Sequence, residues 1–434
     1  MPQVLRHSSR VALLIFAAVA ASVLAASLLS ACGLQHSAQD GESESAENER
    51  QPEGARPAAP LDPIAALGKR IFFDASLSAS RRLSCASCHD PAHAYAPGNA
   101  DAIQAGGLEM NRRSFRATPS LSYVLGRTPN WHQERAASFL ERIEEPDIPP
   151  FGGFGWDGRF KTLAEQAAFP LLSSDEMANR DAAAIQAKLK ASEYAEEFRK
   201  AFGASSMEDA RQALADAGVA LTRFELTDPS FHPYTSKYDA YLDGKAALSA
   251  QEQRGLELFN DPARGNCNSC HLSGKGADGS HPLFTNFQFE ALGVPRNGAI
   301  KANGGPGFYD LGLCGPLRRD QSGEAGYCGL FKTPTLRNVA TRHAFFHNGR
   351  YTTLLEAVRF YVRRDTNPEE FYPRDRQGRV EKFDDLPAKY RENVDAVDLP
   401  LTKHLGEKPV WSEAEIADVL AFLETLTDGW RGPK

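Results

Sequence analysis

No stretch of the 434-residue chain interleaves basic side chains with aromatics. That absence removes the electrostatic and stacking footprint of a nucleic-acid-binding surface. Strand-rich alternation is missing too, so the predicted fold class is mainly α. Methionine is scarce: Met1, Met110, Met177 and Met207 are the full set. A metal site built after residue 207 therefore cannot take a methionine ligand from its own part of the chain. The formal net charge is −7, a mildly acidic balance that would suit a basic partner.

Long apolar runs are confined to the start. Arg6 and Arg10 precede Val11 to Leu29, interrupted only by Ser22 and Ser27. A charged segment followed by an apolar one is an export signal. Leu29-Ser30-Ala31-Cys32 resembles a bacterial lipobox, so residues 1–31 are expected to be a lipoprotein signal peptide and Cys32 the lipidated residue. An uncleaved anchor helix and an ordinary signal peptide are the alternatives. All three carry residues 33–434 out of the cytoplasm, and the expected location is the periplasm on a membrane tether. Residues 32–60 are rich in Ser, Glu, Gln, Ala and Pro; they cannot bury a core and read as a disordered tether.

Helical patterns are expected at Ile64–Phe73, Thr162–Ala168, Arg180–Phe202, Met207–Phe224, Thr353–Val362 and Trp411–Leu426. Phe231 to Gly244 reads as a Pro- and Tyr-containing connector, and Gly-rich loops fill much of 272–333. One repeat stands out. Gly68-Lys-Arg-Ile-Phe72 precedes Cys85, and Gly255-Leu-Glu-Leu-Phe259 precedes Cys267. This predicts two domains of one type, residues 61–230 and 231–434.

Both repeats lead into a Cys-x-x-Cys-His motif: Cys85-Ala-Ser-Cys88-His89 and Cys267-Asn-Ser-Cys270-His271. Two thiols at this spacing can form thioethers to one haem, and the adjacent histidine presents a ring nitrogen to its iron. Two covalently bound c-type haems are therefore expected. A chance pair, a zinc site or a redox disulfide is the alternative for one motif alone. Cys314 and Cys328 remain, and in an oxidising compartment they are expected to pair, which would stabilise the fold by roughly 3 kcal/mol.

The sixth iron ligand separates electron transfer from peroxide or oxygen chemistry. With no late methionine, the second haem must use His281, His343, His347, His404, a tyrosine, or nothing. His93, His132 and His232 lie between the motifs, but each reads more simply as a solvated loop residue, so an open first haem is expected.

The chain resembles the bacterial di-haem cytochrome c peroxidase/MauG family over most of residues 61–428. The resemblance is carried by Phe154-Gly-Trp156-Asp-Gly158-Arg159, Leu163-Ala-Glu-Gln166, Pro170 and Asp175-Glu176-Met177. Phe331-Lys-Thr-Pro334-Thr-Leu-Arg337-Asn338 and Phe345-Phe-His347-Asn-Gly349 extend it. It implies two cytochrome c-like domains joined by long loops, with the haems near their interface. Trp156 matches the tryptophan between the haems. Gln166 and Pro170 match distal-pocket residues, and Glu176 matches the acid–base carboxylate. Alone, Trp156 would read as a core aromatic, Gln166 as a helix-surface amide and Glu176 as a charge stabilising a helix N-terminus. Their spacings of ten, four and six residues match the family frame.

Ala105 stands where the peroxidase branch has a capping histidine, so the first haem is expected open without activation. Tyr361 stands at the methionine position of the second haem, as in MauG-like proteins. Ala117 stands where the family has an asparagine ligand to an interdomain Ca²⁺, an ion that takes six to eight oxygens. The implied activity is reduction of hydrogen peroxide with electrons from a small cytochrome c or cupredoxin. MauG-like oxidation of a partner protein and non-enzymatic electron carriage are the alternatives. The resemblance also allows a homodimer.

Overall fold

A computed structural model describes residues 60–123, 125–133, 150–305 and 307–432. Residues 1–31, expected to be a signal peptide, and nearly all of residues 32–60, expected to be a tether carrying Cys32, lie outside the described residues. In chain order the longer elements are α1 (Pro63–Phe73), α2 (Cys85–Cys88), α3 (Leu163–Leu172), α4 (Ala182–Ala191), α5 (Ala195–Phe202) and α6 (Ala210–Thr227). They continue with α7 (Lys237–Leu242), α8 (Ala250–Asn260), α9 (Leu354–Arg363) and α10 (Glu413–Glu424). Two short antiparallel clips complete the set. β1 (Ala105–Gly106) pairs with β2 (Arg112–Arg113), and β3 (Phe289–Glu290) pairs with β4 (Phe331–Lys332). The fold is mainly α.

Helix α1 begins at Asp62, whose carboxylate accepts from the Ile64 and Ala65 amides at 3.0 Å, with Pro63 at the first helical position. Its buried stripe of Leu67, Gly68, Ile71 and Phe72 crosses α6. A Cβ on Gly68 would lie 1.9 Å from the Ala220 carbonyl oxygen, so only glycine lets the two backbones meet. One turn on, Phe72 packs edge-on against Phe224 at 5.5 Å. The second half repeats this crossing with α8 and α10. A Cβ on Gly255 would lie 2.0 Å from the Asp418 carbonyl oxygen, and Phe259 meets Phe422 at 5.2 Å. The repeat thus has a second strand that the sequence reading missed: Ala220/Phe224 answers Asp418/Phe422, each four residues apart.

Two hydrophobic cores follow from the two crossings. One gathers Phe72, Leu163, Leu171, Phe198, Phe224 and Phe231. The other gathers Phe259, Phe284, Val358, Phe360, Ile416 and Phe422. Replacing Gly255 by Ala is expected to lower the thermal midpoint, since forcing atoms into a closed contact costs about 1–3 kcal/mol. Gly274, with nothing near its missing Cβ, is the control. Equal midpoints for Gly255→Ala and Gly274→Ala would refute the close crossing.

Three expectations need correction. The Arg180–Phe202 helix is two helices, because Ser192 turns extended and its hydroxyl donates to the Leu189 carbonyl at 2.8 Å. Such side-chain bonds compete with the helix ladder. The 231–244 connector contains α7, started by the Ser236/Asp239 capping box. Helix α3 runs past Ala168 through Pro170 to Leu172, leaving the Gln166 carbonyl without an amide from residue 170. Cys314 and Cys328 are joined as a disulfide. Among the described residues no helix is long and apolar enough to cross a membrane.

Candidate haem and peroxide site

At the first motif, α2 places Cys85 and Cys88 one turn apart, and the His89 amide closes that turn on the Cys85 carbonyl at 2.9 Å. His89 Nδ1 donates to the Tyr95 carbonyl at 3.1 Å, and Tyr95 is itself stacked on Phe231 at 3.7 Å. Burial pushes the His89 pKa down to about 4, with the Tyr95 bond opposing. The imidazole is therefore neutral, and its Nε2 lone pair is free for a metal.

The second motif repeats this arrangement on a 3₁₀ turn, Cys267–Ser269. His271 Nδ1 donates to the Phe284 carbonyl at 2.8 Å, and burial again lowers the pKa to about 4. All four motif cysteines are half-buried, and none is joined in a disulfide among the described residues. Two thiols beside an oriented neutral imidazole, twice over, fit two haem c groups.

A largely apolar cavity opens at the second motif. Cys267, Cys270, His271, Trp156, Arg342 and Tyr361 are among its lining residues. Tyr361 comes from α9, and burial raises its phenol pKa. Of the histidines considered for this site, His347 also lines the cavity, but its ring lies flat on Phe331 at 3.5 Å. His281 Nε2 is bonded to Asp243 at 2.8 Å, and His343 and His404 are exposed. Near the first motif, His93 is held by Asp90 at 2.8 Å, and His132 packs beside Phe151 at 5.0 Å. His232 is half-buried in the connector.

Gln166 and Pro170 sit one turn apart on α3, and Glu176 follows in the turn beyond it, its amide donating to the Ser173 carbonyl at 3.1 Å. The Glu176 carboxyl is buried, and its Oε2 has no hydrogen-bond partner among the described residues. Burial raises its pKa, opposed by a Ser173 hydrogen bond and by the Arg159 charge. The carboxyl is close enough to act electrostatically on Cys85 and Cys88. Ala105 borders the same turn. The next residue, Gly106, would place a Cβ 2.2 Å from the Asp175 carbonyl oxygen, and the Gly107 amide donates to the Glu176 carbonyl at 2.8 Å.

Trp156 is pinned at both ends. Its indole Nε1 donates to the Ala117 carbonyl at 2.8 Å, and its own carbonyl accepts from the Lys332 amide at 2.9 Å. The model of the di-haem cytochrome c peroxidase family matches residues 62–247. Methylamine utilization protein MauG of Paracoccus denitrificans is 32% identical over 382 residues, 87% of this chain and 91% of that protein. The chain belongs to the di-haem cytochrome c peroxidase/MauG family. As a member of it, the chain is an oxidoreductase. Cytochrome c551 peroxidase of Nitrosomonas europaea is 30% identical, covering 71% of this chain and 76% of that one. The crystal structure of the diheme peroxidase BthA from Burkholderia thailandensis superimposes with a TM-score of 0.75 at 38% identity. It covers 86% of this chain and 90% of that chain.

Two site residues escaped the sequence reading. Lys332 Nζ donates to the Gly153 carbonyl at 2.6 Å, and the Arg342 guanidinium donates to the Thr118 carbonyl at 3.1 Å. Both line the cavity of the second motif. Burial pushes Lys332 down to about 8 and Arg342 down to about 10. Arg342 also reaches His89 electrostatically. Lys332 lay within a recognised motif, whereas nothing in the local sequence distinguished Arg342.

Proposed function

We propose that this family member reduces hydrogen peroxide at the first motif, taking electrons through the second. The observation that carries the reading is the buried, half-unpartnered Glu176 carboxyl beside Cys85-Ala-Ser-Cys88-His89, with Ala105 rather than a ligating histidine on the adjoining strand. Cys85/Cys88 and Cys267/Cys270 would hold two haem c groups, which when bound would relay two electrons from an external donor as one peroxide and two protons become two waters. His89 and His271, each fixed by its Nδ1 bond, would offer Nε2 to the irons. Glu176 takes a proton from the near peroxide oxygen and returns it to the far one. Gln166 orients the peroxide, and Pro170 shapes the same wall. Trp156 lines the cavity of the second motif, where Tyr361 would hold the iron together with His271. Lys332 and Arg342, buried cations bonded to the Gly153 and Thr118 carbonyls, could meet the carboxylates of the cofactor.

On this reading, residues 61–230 and 231–434 are two cytochrome c-like domains, with the haems flanking the Trp156 segment. The protein works in the periplasm, tethered through Cys32, with a small cytochrome c or cupredoxin as donor. Tyr361 and Ala105 favour a second reading, MauG-like oxidation of a residue in a partner protein.

Low-temperature EPR of the ferric protein tests the coordination. One high-spin signal beside one low-spin signal is expected, for an open first site and a capped second one. Two low-spin signals would sink the open first site and favour an electron carrier.

A further inference from the structure

The family resemblance implies a calcium ion between the domains, and the residues around Ala117 do not fit one. Ala117 has no side-chain oxygen, and its carbonyl already accepts from the Trp156 indole. The neighbouring position is cationic. Arg116 is buried, with a side chain 6% exposed. Its Nε and Nη2 form a two-pronged clamp on Asp310 at 2.6 and 2.7 Å, and its Nη1 bonds Asp157 at 2.7 Å.

The carboxylates are saturated by these and other donors. Asp157 also accepts from the Arg159 amide and guanidinium at 3.3 and 3.0 Å. Asp310 also accepts from the Gly312 amide at 3.1 Å. Burial works to raise the Asp157 pKa, but Arg116 and Arg159 overcome it and hold the carboxyl below its usual range. Two guanidinium charges already balance two carboxylates, so a divalent ion would bring uncompensated charge into a buried site.

The geometry joins the two halves of the chain behind Trp156. Residues 116 and 117 grip residues 156 and 157 twice, by guanidinium on carboxylate and by carbonyl on indole. The same guanidinium reaches Asp310, which lies 194 residues along. We propose that Arg116 is a built-in cation standing in for a bound metal ion, so that Trp156 is positioned without calcium. This rests on family membership and on the ion network, and is independent of the catalytic role given to Glu176.

The test uses the full-length haem-loaded protein. After exhaustive dialysis against EGTA, elemental analysis should find no stoichiometric calcium. The EPR spectrum and thermal midpoint should be the same in EGTA and in added calcium. Arg116→Ala removes the cation shared by Asp157 and Asp310, leaving Asp310 without its guanidinium and Asp157 with Arg159 alone. That variant should unfold at a lower temperature and should be restabilised by calcium, a response that should disappear when Asp310→Asn is added. If Arg116→Ala does not accumulate, Arg116→Gln, which keeps hydrogen-bond donors but loses the charge, is measured instead. Stoichiometric calcium in the wild-type protein, or a spectrum that changes in EGTA, would overturn the proposal. So would a charge-deleted variant with an unchanged midpoint or no response to calcium.

Discussion

Glu176→Gln is expected to lower peroxide turnover by about 10²–10⁴-fold, the usual contribution of a positioned acid–base group, while both haems stay attached. Gln preserves the shape of the side chain and can still donate and accept hydrogen bonds. It cannot take a proton from one peroxide oxygen and give it to the other. The motif cysteines and the buried imidazoles are untouched, so the pyridine haemochrome should still report two haems per chain. The pH profile makes the assignment sharper. Burial raises the Glu176 pKa, so the carboxylate needed as a base is lost at a higher pH than for an exposed glutamate. Turnover should therefore fall as pH drops through that raised value, and Glu176→Gln should flatten this acid limb. Near-normal turnover, or an acid limb that persists in the variant, would remove Glu176 from the proton path.

How much of this was readable in advance depended on how local the signal was. The haem motifs are contiguous, and so is each Gly-x-x-x-Phe turn, and both were visible directly. The partners of those turns were not. Ala220/Phe224 and Asp418/Phe422 acquire meaning only once α6 and α10 are seen crossing α1 and α8. The break at Ser192 was missed because the apolar period continues across it, and a single hydroxyl-to-carbonyl bond decides the matter. Glu176 and Gln166 were located through the family frame, since a buried carboxyl looks like any other glutamate in a string of letters. Its burial and its unpartnered oxygen are properties of the fold. Arg116 is the clearest case. Its sequence neighbour Ala117 drew attention as a missing ligand, yet the residue that fills the electrostatic role is one position earlier and acts across 194 residues. Long-range ion networks of this kind leave no periodic trace in the sequence.

Tyr361→Phe is expected to abolish the low-spin ferric EPR signal of the second haem and to raise that haem's reduction potential. An ordinary phenol has a pKa near 10, so holding it ionised at neutral pH already costs about 4 kcal/mol. Burial in this cavity raises the pKa further. A tyrosinate at this position therefore requires a strong stabilising partner, and a ferric iron held by His271 would be that partner. The preference for the ferric state is then built into the ligand, and it disappears with the phenol oxygen. Phenylalanine keeps the ring that packs against Phe346 at 5.6 Å, so the fold and the Cys267/Cys270 attachment should survive. His347 lines the same cavity but is stacked on Phe331, and reaching the iron would mean abandoning that contact. An unchanged EPR spectrum and an unchanged potential in Tyr361→Phe would sink the axial assignment. A new low-spin signal with altered g values would still show that Tyr361 is the native ligand, and Tyr361→Phe combined with His347→Phe should then remove the new signal.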